Sequence, residues 1–249
     1  MFTYIDPTVR QRLSDEKKIV RINARGELLP AAAPVAGGEL VVNLMGPIPL
    51  PLLAGEERVT MDWYVGVRHT ELSRVDELAR ELTEQGAPAL FASLSTSMAV
   101  NSVLIAPHTD FDATPLVRVH SSCLTGDVFG SARCECGPQL SLALEKIHAN
   151  PAGGVVVYMA GHEGRGIGLW AKAATYLLQD AGEDTYQANE SLGLPADSRD
   201  FSDAAALLHY FTNNRAFRLL SNNPVKLSDL KAHGLTQITP EKHVVGVGE

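Results

Sequence analysis

Three cysteines stand within fourteen residues, in the segment HSSCLTGDVFGSARCECG. Cys123 comes first, and Cys134 and Cys136 follow with one residue between them. The chain has no others, so an odd count at close spacing argues for a metal site over a disulfide framework. Soft thiolate ligands favour zinc among the common divalent ions. A structural zinc takes four protein ligands, whereas a catalytic one takes three and leaves a position for water. No fourth cysteine exists to close the shell. His120 is near enough to do so, and three buried thiols without a metal is the remaining reading. If three thiolates bind zinc, water on the ion becomes acidic enough to supply hydroxide near neutral pH.

The elements that must position these residues alternate in type. PLVRVHSS reads as a strand ahead of Cys123, and Gly137-Pro138 opens a helix, where proline's missing N–H costs nothing. GGVVVYMA is a buried strand, GHEGRGIG a glycine-rich loop, and a helix follows to about Asp180 with Gly182 as its stop. SDAAALLHYF reads as helix, FRLL as strand, and Pro224 opens a helix that Gly234 ends. In the helix ending near Asp180, Ile167, Trp170, Ala174, Leu177 and Leu178 form one stripe at helical spacing and are the expected packing face. Lys172, Tyr176 and Gln179 fall on the other side, so Tyr176 is either a solvated tyrosine or a functional one.

Residues 1–110 differ in character. Turn signals such as LLPAAAPVAGGEL and MGPIPLPLLAGEE separate short apolar runs. A helix is expected at about 73–84, capped by Ser73 and stopped by Gly86, with strands at 39–44 and 102–106. The expected fold class is α/β, a layered mixed sheet with flanking helices, plus a smaller divergent N-terminal α+β region. The expected division is 1–110, of unknown role, and 111–249, catalytic.

Composition narrows the partners. The 249 residues carry a net charge of −8, which argues against nucleic-acid binding but leaves room for a small polyanion held by a few converging cations. No run of about 18 apolar residues predicts a membrane span. MFTYIDPTVRQRL places charges where a signal peptide needs its apolar core, so the expected location is the cytoplasm.

Beyond the cysteines, four motifs recur in a fixed order: HSSCLTGD with RCECG, then GHEGRGIGLWAKAATYLLQD, then LGLPADSRDF, then SNNPVK. Over about residues 116–240 they resemble the GTP cyclohydrolase II family, whose patterns read H-S-E-C-L-T-G-D, R-C-D-C-G, E-G-R-G-I-G-L, L-G-x-x-x-D-x-R-D-[YF] and T-N-N-P-x-K. The resemblance implies zinc on Cys123, Cys134 and Cys136, magnesium accompanying a guanine nucleotide triphosphate, and a homodimer. The implied reaction opens the imidazole ring of GTP and releases formate and pyrophosphate.

Site roles follow residue by residue from that resemblance. Tyr176 is expected to orient water or substrate near zinc. Arg199 is the implied nucleophile toward the α-phosphate and Asp197 its proton acceptor. Guanidinium stays protonated near neutrality, so charge stabilisation of the phosphate is the alternative role for Arg199. The expected substrate contacts are Arg118, Val119, His120, Ser121, Ser122, Gln139, Glu163, Gly164, Arg165, Thr185, Ser221 and Lys226. Arg133 and Lys172 are further candidates, and Glu163 suits the N1 and 2-amino edge of guanine. Two departures stand out: the glutamate before the first cysteine is Ser122, and an arginine ahead of the glycine-rich loop is Ala160. They leave open a specialised paralogue acting on another guanine derivative or stopping at the formamide. A zinc-stabilised binder without catalysis is the reading from another class.

Overall fold

A computed structural model describes residues 5–85 and 98–245. Its centre is a nine-stranded mixed sheet in the order β2-β1-β3-β4-β5-β7-β6-β8-β9. The strands are β1 (Ile19–Asn23), β2 (Leu28–Leu29), β3 (Val41–Ala54), β4 (Glu57–Arg68), β5 (Asn101–Ile105), β6 (Leu116–Ser121), β7 (Gly154–Met159), β8 (Phe217–Leu220) and β9 (Ile238–Glu241). Pairing is antiparallel from β2 through β5 to β7, and parallel among β7, β6, β8 and β9. The sheet runs unbroken across residue 110, since β5 pairs with β4 on one side and β7 on the other.

Parity along β6 and β7 decides which residues reach the site. Val117, Val119, Val155 and Val157 point into a core shared with Leu207 and Leu208 of α7 (Ser202–Thr212). Each such fully buried aliphatic side chain stabilises the fold by roughly 1.5–3 kcal/mol. Leu116 and Val156 point to the opposite face, where they meet Ala143 and Ile147 of α4 (Cys136–Ala149). Arg118 and His120 share the parity of Leu116, so the period of two delivers both to the α4 face.

The other helices are α1 (Pro7–Asp15), α2 (His69–Gln85), α3 (Leu124–Asp127), α5 (Leu169–Asp180), α6 (Thr185–Ser191) and α8 (Pro224–Ala232). The expected strand at 102–106 and the expected helices opened by Pro138 and Pro224 are present within a few residues, whereas the strand expected at 39–44 is present but runs on to Ala54. Two expectations need correction. The helix expected from Ser73 begins at His69, and Ser73 is no cap: its hydroxyl donates to the His69 carbonyl inside the helix at 2.7 Å. Gly86, its expected stop, lies outside the described residues. On α5 the apolar stripe is not the packed face, because Trp170 is 91% exposed and Leu177 73%. The buried positions are Lys172 and Thr175, since α5 packs on the polar cysteine loop and turns its apolar side outward.

Candidate functional site

The three thiols converge. Their sulfur atoms lie within 4.8 Å of one another, and Cys123 Sγ is 3.5 Å from Cys134 Sγ. Cys123 lies two residues beyond β6 and directly before α3, and Cys136 opens α4, so two helix starts bring the sulfurs together. Gly126 makes the space: a Cβ there would lie 2.8 Å from Cys134 Sγ and 3.2 Å from Cys123 Sγ. Three soft donors around a cradle that only glycine leaves open fit a thiophilic divalent cation.

The thiols are electrostatically unequal. Burial works against ionising Cys123, yet hydrogen bonds from Lys172 and Thr125 draw its pKa below the usual thiol value. Burial and the neighbouring sulfurs push Cys134 and Cys136 up. A bound cation would reverse that order for the latter pair, because metal coordination deprotonates a thiol outright.

Lys172 organises the surroundings. Its ammonium lies 3.1 Å from Cys123 Sγ, 3.1 Å from Thr125 Oγ1 and 2.5 Å from Glu163 Oε1. Burial alone would depress this lysine, but Glu163 and Cys123 hold it above its ordinary range. The second oxygen of Glu163 accepts the Leu124 N–H at 2.7 Å, satisfying a donor at the start of α3. Glu163, expected on the guanine edge, is thus engaged at both oxygens with the cysteine loop. Tyr176 lies half-buried beside the cluster, its hydroxyl 3.0 Å from Thr125 Oγ1 and its ring under the Arg133 guanidinium at 4.7 Å. Arg133 also pairs with Asp180.

Asp127 is a hub that the sequence reading missed. It accepts from His120 Nε2 at 3.1 Å, from the Tyr158 hydroxyl at 2.9 Å and from the Cys123 N–H at 3.0 Å. Burial opposes its charge, but these bonds hold the carboxyl below the usual range. Its spacing four residues after Cys123 was the available signal, since that places it one helical turn on. His120 is fully buried and stacks on Tyr158; its Nε2 serves Asp127, and Nδ1 has no partner among the described residues.

A set of cations lies next to this cluster. Arg118 donates to the Leu220 carbonyl and to Gln139 Oε1, both at 2.9 Å, while its Nε has no partner among the described residues. Burial lowers its pKa to about 10. Lys226 Nζ is buried and donates to the Val119 carbonyl at 2.5 Å. Burial, with Arg118 and Arg199 nearby, holds it well below the ordinary lysine range. Val119 therefore offers the site a carbonyl only, its side chain belonging to the core. Ser221 accepts the Asn223 N–H ahead of α8, the helix that carries Lys226.

Arg199 and Asp197 form a close ion pair, with Arg199 Nε 2.9 Å from Asp197 Oδ1. Desolvation opposes the charge on Asp197, and Arg199 outweighs it to lower the carboxyl's pKa. Ser121 Oγ lies 3.1 Å from His162 Nδ1 and 3.5 Å from Arg199 Nη1, tying this pair to the end of β6. His162 was also missed; it is buried, its Nε2 donates to the Asp200 carbonyl, and burial lowers its pKa. Ser122 donates to the Ala160 carbonyl at 2.9 Å, so the two departures from the family pattern touch each other.

The glycine-rich segment is a tight turn. Gly164 and Arg165 follow one another with φ near +60°, a region costly for arginine, and the Arg165 carbonyl accepts the Ser198 N–H. Arg165 stacks on Tyr186 at 4.0 Å. Thr185 is exposed at the start of α6 and accepts from Gln179.

The chain spans 28% and 38% of the first two relatives below. The Riboflavin biosynthesis protein RibBA of Salinispora arenicola (strain CNS-205) is 58% identical over 121 residues, 49% of this chain. The protein of the same name from Mycolicibacterium paratuberculosis (strain ATCC BAA-968 / K-10) is 47% identical over 163 residues, 66% of this chain and 38% of the relative. The corresponding Mycobacterium tuberculosis (strain ATCC 25177 / H37Ra) protein is 48% identical over the same length. The model of the GTP cyclohydrolase II family matches residues 91–241, more than half of the chain and all of the cysteine, glycine-rich and Asp197–Arg199 segments. The chain belongs to the GTP cyclohydrolase II family.

Proposed function

We propose that this protein hydrolyses GTP at a zinc ion on Cys123, Cys134 and Cys136, with magnesium accompanying the triphosphate. The products would be formate, pyrophosphate and 2,5-diamino-6-ribosylamino-4(3H)-pyrimidinone 5′-phosphate, an intermediate for riboflavin synthesis. The observation that carries the proposal is the convergence of three sulfurs beside a buried Lys172–Glu163 pair and the cations Arg118, Arg199 and Lys226. A zinc ion there would supply a Lewis acid and a nucleophilic water for attack on C8.

The chain's own residues divide the remaining work. Tyr176, anchored through Thr125, orients the reacting group at the cluster. Arg199, held in line by Asp197, neutralises the α-phosphate, which suits a guanidinium better than a covalent role. Arg118 and Lys226, partly desolvated and short of partners, favour an anion in the space they face. Ser121, Ser122, Gln139, Gly164, Arg165 and Ser221 shape its wall, and Thr185 its rim. On this reading residues 111–249 carry catalysis, and residues 1–110 extend the sheet for a separate purpose.

A homodimer in the cytoplasm is the assembly and location we propose. The exposed Trp170, Leu177, Val128 and Phe129 support the dimer, because large apolar side chains of this number are suited to a second copy. The Ser122–Ala160 contact supports a second reading, in which another guanine derivative is the substrate or the formamide is the final product.

Protein loaded with one zinc ion per chain should release formate and pyrophosphate in equal amounts from GTP with magnesium. Cys123→Ser should abolish both. Fully metallated protein that releases neither would overturn the proposal, and formamide accumulation would select the second reading.

A further inference from the structure

The N-terminal part of the sheet has two apolar faces. On one, Ile22, Val42 and Leu44 enter the main core. The register places Arg21 opposite Asn43 and Ile19 opposite Met45 on the other face, with Val67 and Val65 next along β4. α1 and α2 roof this second face and are joined by Arg10 and Asp76, whose two hydrogen bonds are 2.5 and 2.8 Å. The roof does not fill the space below it. A cavity of about 790 Å³ remains, within the range of small-molecule sites. Among the described residues it shares none with the cysteine cluster or its cations.

Its walls are mostly aliphatic, with Ile19, Met45, Val65, Val67 and Leu72 among them, yet its floor carries a cation. Arg21 is only 7% exposed. Its Nη1 donates to the carbonyls of Ala31 at 2.7 Å and Ala33 at 2.9 Å, while Nε and Nη2 have no partner among the described residues. No carboxylate lies within ion-pair distance of Arg21 among the described residues. A buried charge of this kind is costly unless something neutralises it. Beside it, His69 Nδ1 faces the Asn43 amide at 3.4 Å and Nε2 faces Ser73 Oγ at 3.2 Å, an arrangement of the neutral ring. Asp76, the acid in the lining, is held by Arg10.

We propose that this cavity is a binding site for a small organic acid with an apolar body, its carboxylate on Arg21 and its body against the β1–β3–β4 face. The site goes beyond the catalytic reading and does not depend on it. A buried guanidinium with no carboxylate partner among the described residues selects an anion, and the aliphatic walls select a hydrocarbon or ring behind it.

Decanoate and decanol, which share the body and differ in the head group, are suitable probes for calorimetry on the full chain. Wild-type protein should bind decanoate at one site per chain, at least about tenfold more tightly than decanol. Arg21→Gln should remove that preference while leaving decanol binding in place. Val65→Trp, which fills the cavity without altering the cation, should abolish binding of both. Absence of saturable decanoate binding up to about 1 mM would overturn the proposal. So would equal affinity for acid and alcohol in the wild type, or an undiminished preference in folded Arg21→Gln. If Arg21→Gln does not fold, the wild-type ratio and Val65→Trp still decide.

Discussion

Replacing Lys172 by methionine removes a cation in contact with Cys123, one of the three proposed zinc ligands, and it has two consequences. The ammonium stands 3.1 Å from Cys123 Sγ. At an effective dielectric of about 20 such a contact amounts to about 5 kcal/mol. Glu163, 2.5 Å from the same ammonium, already takes part of that field. A net effect on zinc of about 1.5–3 kcal/mol remains, or roughly 10–100-fold in affinity, the range typical of groups that support metal ligands. The second consequence is stability. Glu163 would keep only the Leu124 N–H, and breaking a buried pair costs about 3–5 kcal/mol. With side chains 10% and 14% exposed, about 2–4 kcal/mol is expected, a fall in Tm of roughly 5–15 °C. Competition against a chromophoric chelator measures the first effect and thermal unfolding the second. Adding Glu163→Gln should return part of the lost stability. Unchanged zinc affinity in folded Lys172→Met, or a double variant no more stable than the single, would refute the reasoning.

Other outcomes follow from individual contacts. Gly126→Ala places a Cβ against Cys134 Sγ and Cys123 Sγ, so purified protein should carry well below one zinc per chain by elemental analysis. Lys226→Met removes a desolvated cation, so melting temperature should hold or rise while kcat/KM for GTP falls by about a hundredfold or more. Burial holds His243 at about 4 against an ordinary 6.5, its Nε2 donating to the Gln139 carbonyl at 2.7 Å. The unfolded chain therefore binds this proton first as pH falls. Stability should drop between about pH 6.5 and 4, by up to about 3 kcal/mol, and this contribution should level off below. Urea unfolding at stepped pH should show that drop in the wild type and a flatter profile in His243→Phe.

Much of the site was readable because its signals are local. Cysteine spacing pointed to the convergence of the three sulfurs, a cluster able to hold a metal, and Gly137-Pro138 placed the helix that carries Cys136. The period of two in PLVRVH placed Arg118 and His120 on one face. What escaped depended on contacts between distant segments. Asp127 and His162 look ordinary until β7 and residue 200 are brought beside them. The α5 stripe misled because periodicity finds a face suited to burial, not the surface that covers it; this chain leaves Trp170 and Leu177 outside. The long β3–β4 hairpin was obscured by its prolines, Pro47, Pro49 and Pro51, which read as turns but fall within a strand whose partner fixes its path.

The most direct test of the central claim is mass spectrometry of the nucleotide products formed from GTP by protein carrying one zinc ion per chain. The expected product is a diaminopyrimidinone ribosyl phosphate that has lost C8 and pyrophosphate. Unchanged GTP, or GDP alone, from protein whose three thiols hold zinc would contradict it.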